Sequence, residues 1–197
     1  MATTNHELLY YIPAGQYGKE GVLALLEQHP EIKFVSLVGI DLAGNDTDEK
    51  IPMSAFFDDY ESFFEGRAVQ TDGSSVVLTN IATLNNARVD MWGDPSVNWF
   101  VDYNYENIDP ATGLPTGTLR IPAFLMHNYR YVDSRSILKR SCDYVKTELL
   151  NLIKEHGLPG MPHVKSDDVV DIIFTSATEL EFWVKTPART VTKKELS

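Results

Sequence analysis

The sequence predicts an α+β fold, on three observations. Apolar runs rich in β-branched and aromatic residues fall at 34–40, 98–106 and 118–126. A single long amphipathic stretch at 132–160 follows them. The composition, 43% hydrophobic and 11% aromatic over 197 residues, is that of a chain that packs a core rather than one that stays disordered.

Taken in order, "YGKEGVLALLEQHP" spaces Val22, Leu25 and Leu26 as one face of a short helix that Pro30 stops. "FVSLVGI" reads as a strand, Asp41 to Glu49 as turn residues, and Lys50 with Ile51 as the returning strand of a hairpin. Ser54 is placed to cap a helix through "AFFDDYESFFEG". Its face is Phe56, Tyr60 and Phe63 or Phe64, and Gly66 ends it. "VQTDGSSVVL" is a Gly/Ser/Asp loop running into valines. "NWFVDYNYE" alternates like a half-buried strand, "NIDPATGLPTG" is rich in turn formers, and "TLRIPAFLM" is a further strand. The first part of the chain is therefore a small mixed sheet carrying a helix.

In the long helix, Leu138, Cys142, Val145, Leu149 and Leu152 form one stripe, Asp133 or Ser134 caps, and Gly157 and Pro159 terminate. "VVDIIFT" after it reads as a buried strand, and the tail "ARTVTKKELS" has no apolar periodicity.

Charge and composition exclude some function classes. A formal net charge of −11 argues against a nucleic-acid partner, which needs a clustered positive surface. The start "MATTNHELLYYIPAGQ" lacks a basic region followed by a long apolar run, and no segment is long enough to span a bilayer, so a cytoplasmic protein is expected. Cys142 is the only cysteine, which rules out an intrachain disulfide and suits a packing role. The five histidines show no metal-ligand spacing.

Three stretches have residue types that carry chemistry. In "ELEF", Glu179 and Glu181 are two apart, so on a strand they project from one face about 6.6 Å apart. Such a pair suits a hard divalent cation, Mg²⁺ or Mn²⁺, and equally suits a solvated strand face. In "TDGSS", Asp72 flanks a glycine-centred loop with two hydroxyls, fitting either a cation or ammonium site or an ordinary Asx turn. In "DSRSILKR", Arg135, Lys139 and Arg140 offer an anion site or simply the charged face of an amphipathic helix.

Taken together and in order, five segments resemble the N-terminal part of a glutamine synthetase. "FVSLVGIDLAGNDTDEKIPMSAFF" is similar to the family's opening hairpin and helix, and "FFEGRAVQTDGSSV" to its F-D-G-S-S loop. "MWGDPS" is similar to its P-D-x-S-T turn, "VDSRSILKR" to its D-P-R-x-x-x-K-R helix start, and "ELEF" to its metal strand. Thr71 stands where the family has Phe, Ser134 where it has Pro, and Trp92 with Gly93 where the turn is normally Met-Pro.

The resemblance implies a β-grasp-like domain over 1–126 and, over 127–197, the beginning of an α/β catalytic domain whose later segments lie beyond Ser197. It implies an ATP-dependent ligase that forms γ-glutamyl phosphate and lets ammonia displace the phosphate. Glu179 and Glu181 would each ligate one of two Mg²⁺ or Mn²⁺ ions. Asp72 would reach a neighbouring subunit's active site and assist ammonium, in a ring-shaped homo-oligomer. Alternatives are a ligase joining glutamate to an amine such as a polyamine, a non-catalytic structural or regulatory relative, and a generic acidic β-grasp binding module.

Overall fold

The computed structural model describes residues 7–16, 18–179 and 181. The chain divides into two compact units, Met1–Tyr144 and Val145–Ser197. The first is a mixed α/β unit dominated by an antiparallel sheet with few helices.

The sheet is built around one long strand. β2 (Ile32–Ile40) and β3 (Asp46–Pro52) form the expected hairpin. β6 (Trp99–Ile108) and β7 (Pro115–His127) form a second one. The first half of β7 pairs in parallel with β2 and antiparallel with β6. Its second half pairs with β5 (Arg88–Gly93), which in turn pairs with β4 (Val69–Asp72). A two-residue β8 (Arg130–Tyr131) folds back on the end of β7, and β1 (Tyr11–Ile12) lies along β6. Thirteen residues of β7 thus hold both halves of the sheet in one register.

The core follows from this alternation. Val35 and Leu37 of β2, Leu119, Ile121 and Leu125 of β7, and Val89 and Met91 of β5 are fully buried. α1 (Lys19–Glu27) buries Val22 and Leu26, and α2 (Met53–Asp58) buries Met53 and Phe56. Phe56 meets Phe63 edge-on at 5.0 Å, and Phe64 stacks on Trp99 at 5.4 Å.

Several expectations are corrected. The turn expected over Asp41 to Glu49 ends at Asn45, and Asp46 to Glu49 belong to β3. Because β3 is the last strand of its sheet path, its acidic side chains reach water and guard an open edge. The helix expected through 55–66 is broken at Asp59 (φ −141°, ψ 62°) into α2 and a 3₁₀ turn, Tyr60–Phe63. Ser54 lies inside α2 rather than capping it. β4 and β5 were not expected; "VQTD" and "RVDMWG" pair with each other, and β5 with β7, across a long loop that conceals the pattern.

The long helix is α3 (Ser134–His156), capped by Asp133 and stopped at Gly157 (φ +75°). In the second unit its residues Val145, Leu149 and Leu152 are 43%, 37% and 50% exposed, so the predicted stripe is present but not buried. The buried strand expected at "VVDIIFT" does not form. Residues 169–175 have no strand pairing among the described residues, with Val170 and Ile173 more than four-fifths exposed. A strand is stable only when its backbone groups and apolar face find neighbours, and the described part of this unit offers no sheet to join. Lys146 forms an ion pair with Asp171 there, which holds the Asp171 carboxyl below its ordinary range. Among the described residues no helix is long and apolar enough to cross a membrane.

Candidate functional site

The "TDGSS" loop is positioned from below by a buried carboxylate. Asp41 ends the apolar run of β2 and is fully buried. Its Oδ1 accepts the backbone N–H groups of Ala43 and Asn45, each at 2.9 Å. Its Oδ2 accepts the Asn45 side-chain amide at 3.0 Å and the Val77 N–H at 2.9 Å. Leu42 N–H in turn donates to Val77 O at 3.2 Å. One side chain therefore shapes the hairpin turn and pins the loop of residues 73–87 to it. Burial pushes the Asp41 carboxyl up, but its four hydrogen bonds outweigh burial and hold it below the usual carboxylate range.

At the start of that loop, Asp72 is exposed and its Oδ1 accepts Ser74 N–H at 2.7 Å, capping the 3₁₀ turn Gly73–Ser75. This is an Asx turn. Gly73 N–H donates to Ala87 O at 2.7 Å, and a Cβ on Gly73 would stand 2.7 Å from Leu84 Cβ and 2.9 Å from Ala87 O, so the close approach needs glycine. Hydrogen bonds from Ser74, side chain and backbone, hold the Asp72 carboxyl below its ordinary value. The loop thus presents an ionised, oriented and accessible carboxylate.

A second ionic cluster fixes the entry to α3. Asp94 is nearly buried; its Oδ1 accepts Ser96 N–H at 2.9 Å and Ser96 Oγ–H at 2.5 Å. Its Oδ2 accepts Arg135 Nη2 at 2.7 Å, and the guanidinium lies 4.6 Å above the Phe124 ring. Burial raises the Asp94 carboxyl, and the bonds from Ser96 and Arg135 bring it net below its usual range. Asp133 is 1% exposed; it accepts Ser136 N–H, Ser136 Oγ–H and Leu125 N–H. Of the basic residues of "DSRSILKR", Arg135 pairs with Asp94 and Lys139 with Asp143, while Arg140 donates to the Tyr131 carbonyl.

Glu179 and Glu181 lie in the second unit, both exposed and neither assigned to a strand. Leu180 between them falls outside the described residues. Among the described residues, no three His, Cys, Asp or Glu side chains converge on a possible metal position. A hard divalent cation needs about six oxygens, and two solvated carboxylates do not make such a site. The described residues by themselves therefore do not complete a Mg²⁺ or Mn²⁺ site.

Asp41 and Asp94 escaped the sequence reading. The signal for Asp41 was an aspartate ending an apolar strand just before "LAGN", the pattern of an Asx turn. Another buried acid, Glu31, had no such signal. It is 0% exposed, with Oε1 2.9 Å from His29 Nδ1 and 3.4 Å from the Tyr103 hydroxyl, while Oε2 has no hydrogen-bond partner among the described residues. Burial first, then Glu31, pushes the Tyr103 phenol up. Its hydroxyl donates to Leu9 O at 3.0 Å, tying the N-terminal segment to β6. Tyr103→Phe is expected to cost about 1 kcal/mol in urea unfolding.

Comparison with known proteins adds little. No protein-family model matches the chain, and no curated protein matches it. Among solved structures there is a likeness to the glutamine synthetase of Plasmodium falciparum, determined by cryo-electron microscopy. It is 15% identical with a TM-score of 0.45, over 70% of this chain and 24% of that one. At that score the likeness does not carry an assignment of fold or activity. The chain spans about a quarter of that enzyme's length.

Proposed function

We propose that this chain is the N-terminal part of a glutamine synthetase-like ligase that joins ammonia to glutamate through γ-glutamyl phosphate, with ATP as co-substrate. Residues 1–126 would be its β-grasp-like domain and 127–197 the start of its catalytic domain, in a homo-oligomer. The observation that carries this reading is the state of Asp72. A group that receives ammonium and favours its deprotonation must be negative, fixed and accessible, and Asp72 is all three. Its anchoring through Val77 to Asp41 gives the loop the rigidity such a role requires. The five family-like motifs in family order, from the hairpin to "ELEF", supply the reaction class.

Glu179 and Glu181 are assigned to cation binding only as part of a larger set, whose other ligands would come from residues after 197 in a longer polypeptide. The 197-residue chain by itself is accordingly expected to make no glutamine.

Asp72→Asn in the full-length gene product tests the reading. Asparagine keeps an oxygen to accept Ser74 N–H, so the Asx turn survives and only the charge is lost. Turnover with ammonium should fall about 100-fold or more while the melting temperature is unchanged. Unchanged turnover would refute the role. Glu181→Ala should abolish phosphoryl transfer without unfolding the protein.

A further inference from the structure

We infer that the groove between the 73–87 loop and the β7 to β8 hairpin is a docking site for an extended acidic peptide, bearing apolar side chains, from another protein. The groove is a cavity of about 900 Å³. Leu78, Leu84, Val132 and Ile137 form its apolar wall, and Arg130 and Arg140 supply its charge. Among the described residues no Asp or Glu lines it, in a chain whose formal net charge is −11.

The two arginines differ from the others described. Arg67, Arg88, Arg120 and Arg135 each pair with a carboxylate. Arg130 and Arg140 have no ion pair among the described residues; Arg140 donates through Nη1 and Nη2 to the neutral Tyr131 carbonyl, each at 3.2 Å. That bond orients the guanidinium without cancelling its charge. Positive charge left unneutralised beside an apolar wall is complementary to a ligand carrying carboxylates and apolar groups together.

The rim supports the same reading. Asn128 (φ +48°) and Tyr129 (φ +62°) are the two central residues of the turn joining β7 to β8, both left-handed as a type I′ turn requires. Glycine is preferred at the second position, yet a tyrosine occupies it and is 97% exposed at the groove's lip. Across the groove, Ile81 is 67% exposed. A strained backbone that holds an aromatic ring out of the core beside a cavity matches the anchor residues of protein recognition surfaces.

Charge also decides between occupants. The chain's own residues 188–197, "ARTVTKKELS", carry Arg189, Lys193 and Lys194 against Glu195 and have the wrong sign. A nucleic-acid backbone would meet two arginines within a strongly acidic protein. A short peptide with a few carboxylates carries far less charge than a nucleic-acid backbone, so the two arginines offset more of its repulsion from the rest of the chain. This inference does not depend on the ligase reading.

The test uses the full chain and an eight-residue fluorescent peptide alternating glutamate with leucine and phenylalanine, with a control in which lysine replaces glutamate. Fluorescence anisotropy should show the acidic peptide binding at least about tenfold more tightly than the lysine control, and weakening as salt rises. Arg130→Glu, which disturbs no described hydrogen bond or ion pair, should weaken it about tenfold or more, and Ile81→Asp should also weaken it, with circular dichroism unchanged. Equal binding of the two peptides, no binding of either, or indifference to Arg130→Glu would overturn the proposal. So would a concentration-dependent dimer abolished by Arg130→Glu and undisturbed by peptide, which would make the face a contact between copies of this chain.

Discussion

Gly66→Ala should lower the stability of the first unit by about 3–5 kcal/mol, more than an alanine substitution at any exposed turn glycine of the chain. Gly66 has φ +67°, and a Cβ built there would stand 1.9 Å from Trp92 Nε1, 2.3 Å from Cε2 and 2.5 Å from Cδ1. Two costs add: the left-handed backbone, about 1 kcal/mol for a residue with a Cβ, and a collision with an indole that must move from a packed position. Gly44→Ala separates them. Its φ is +84°, but nothing lies within 4 Å of its Cβ, so only the backbone cost applies. Thermal unfolding should place Gly44→Ala a few degrees below the parent and Gly66→Ala about 10 °C or more below it. Trp92→Leu combined with Gly66→Ala should recover part of the loss, since the smaller side chain vacates the collision site. Equal melting temperatures for the two single variants would show that the indole yields freely. The effect bears on the site because Gly66 leads directly into β4 and hence to Asp72.

What could be read from the sequence was local. The strands "FVSLVGI", "NWFVDYNYE" and "TLRIPAFLM" and the helix at 134–156 carry their periodicity in consecutive residues, and all four formed. The pairing of "VQTD" with "RVDMWG" did not show, because the two are fifteen residues apart and each is too short to display a repeat. Asp59 broke a helix that the aromatic spacing favoured. From a helix followed by a 3₁₀ turn, Phe56, Phe63 and Phe64 all reach one aromatic cluster with Trp99. "VVDIIFT" has strong strand propensity but finds no sheet among the described residues, since propensity supplies no partner. At the candidate site, the Asx character of Asp72 was legible from "TDGSS" alone. Its support was not, because Asp41 lies 36 residues from the Val77 N–H it accepts.

Removing that support should be nearly as damaging as filling the space at Gly66. Asp41→Ala leaves the N–H groups of Ala43, Asn45 and Val77 without their acceptor, two turns lose their common tie, and a loss of about 3–4 kcal/mol at pH 7 is expected. Hydrogen exchange gives the local signature: the Val77 amide should be protected in the parent and exchange rapidly in the variant, ahead of the amides of β7. The dependence on pH has a definite sign. The folded carboxyl of Asp41 is held below its unfolded value near 3.9, so its contribution is complete above that value and is lost as pH falls through the lower folded one. The same holds for Asp94. Denaturant unfolding should therefore show the gap between the parent and Asp41→Asn narrowing as pH drops from about 5 towards 3, because protonation converts the parent's carboxylate into a neutral acid much like the amide. A gap that widens over that interval would mean the buried group is neutral in the native protein, with burial prevailing over its four hydrogen bonds.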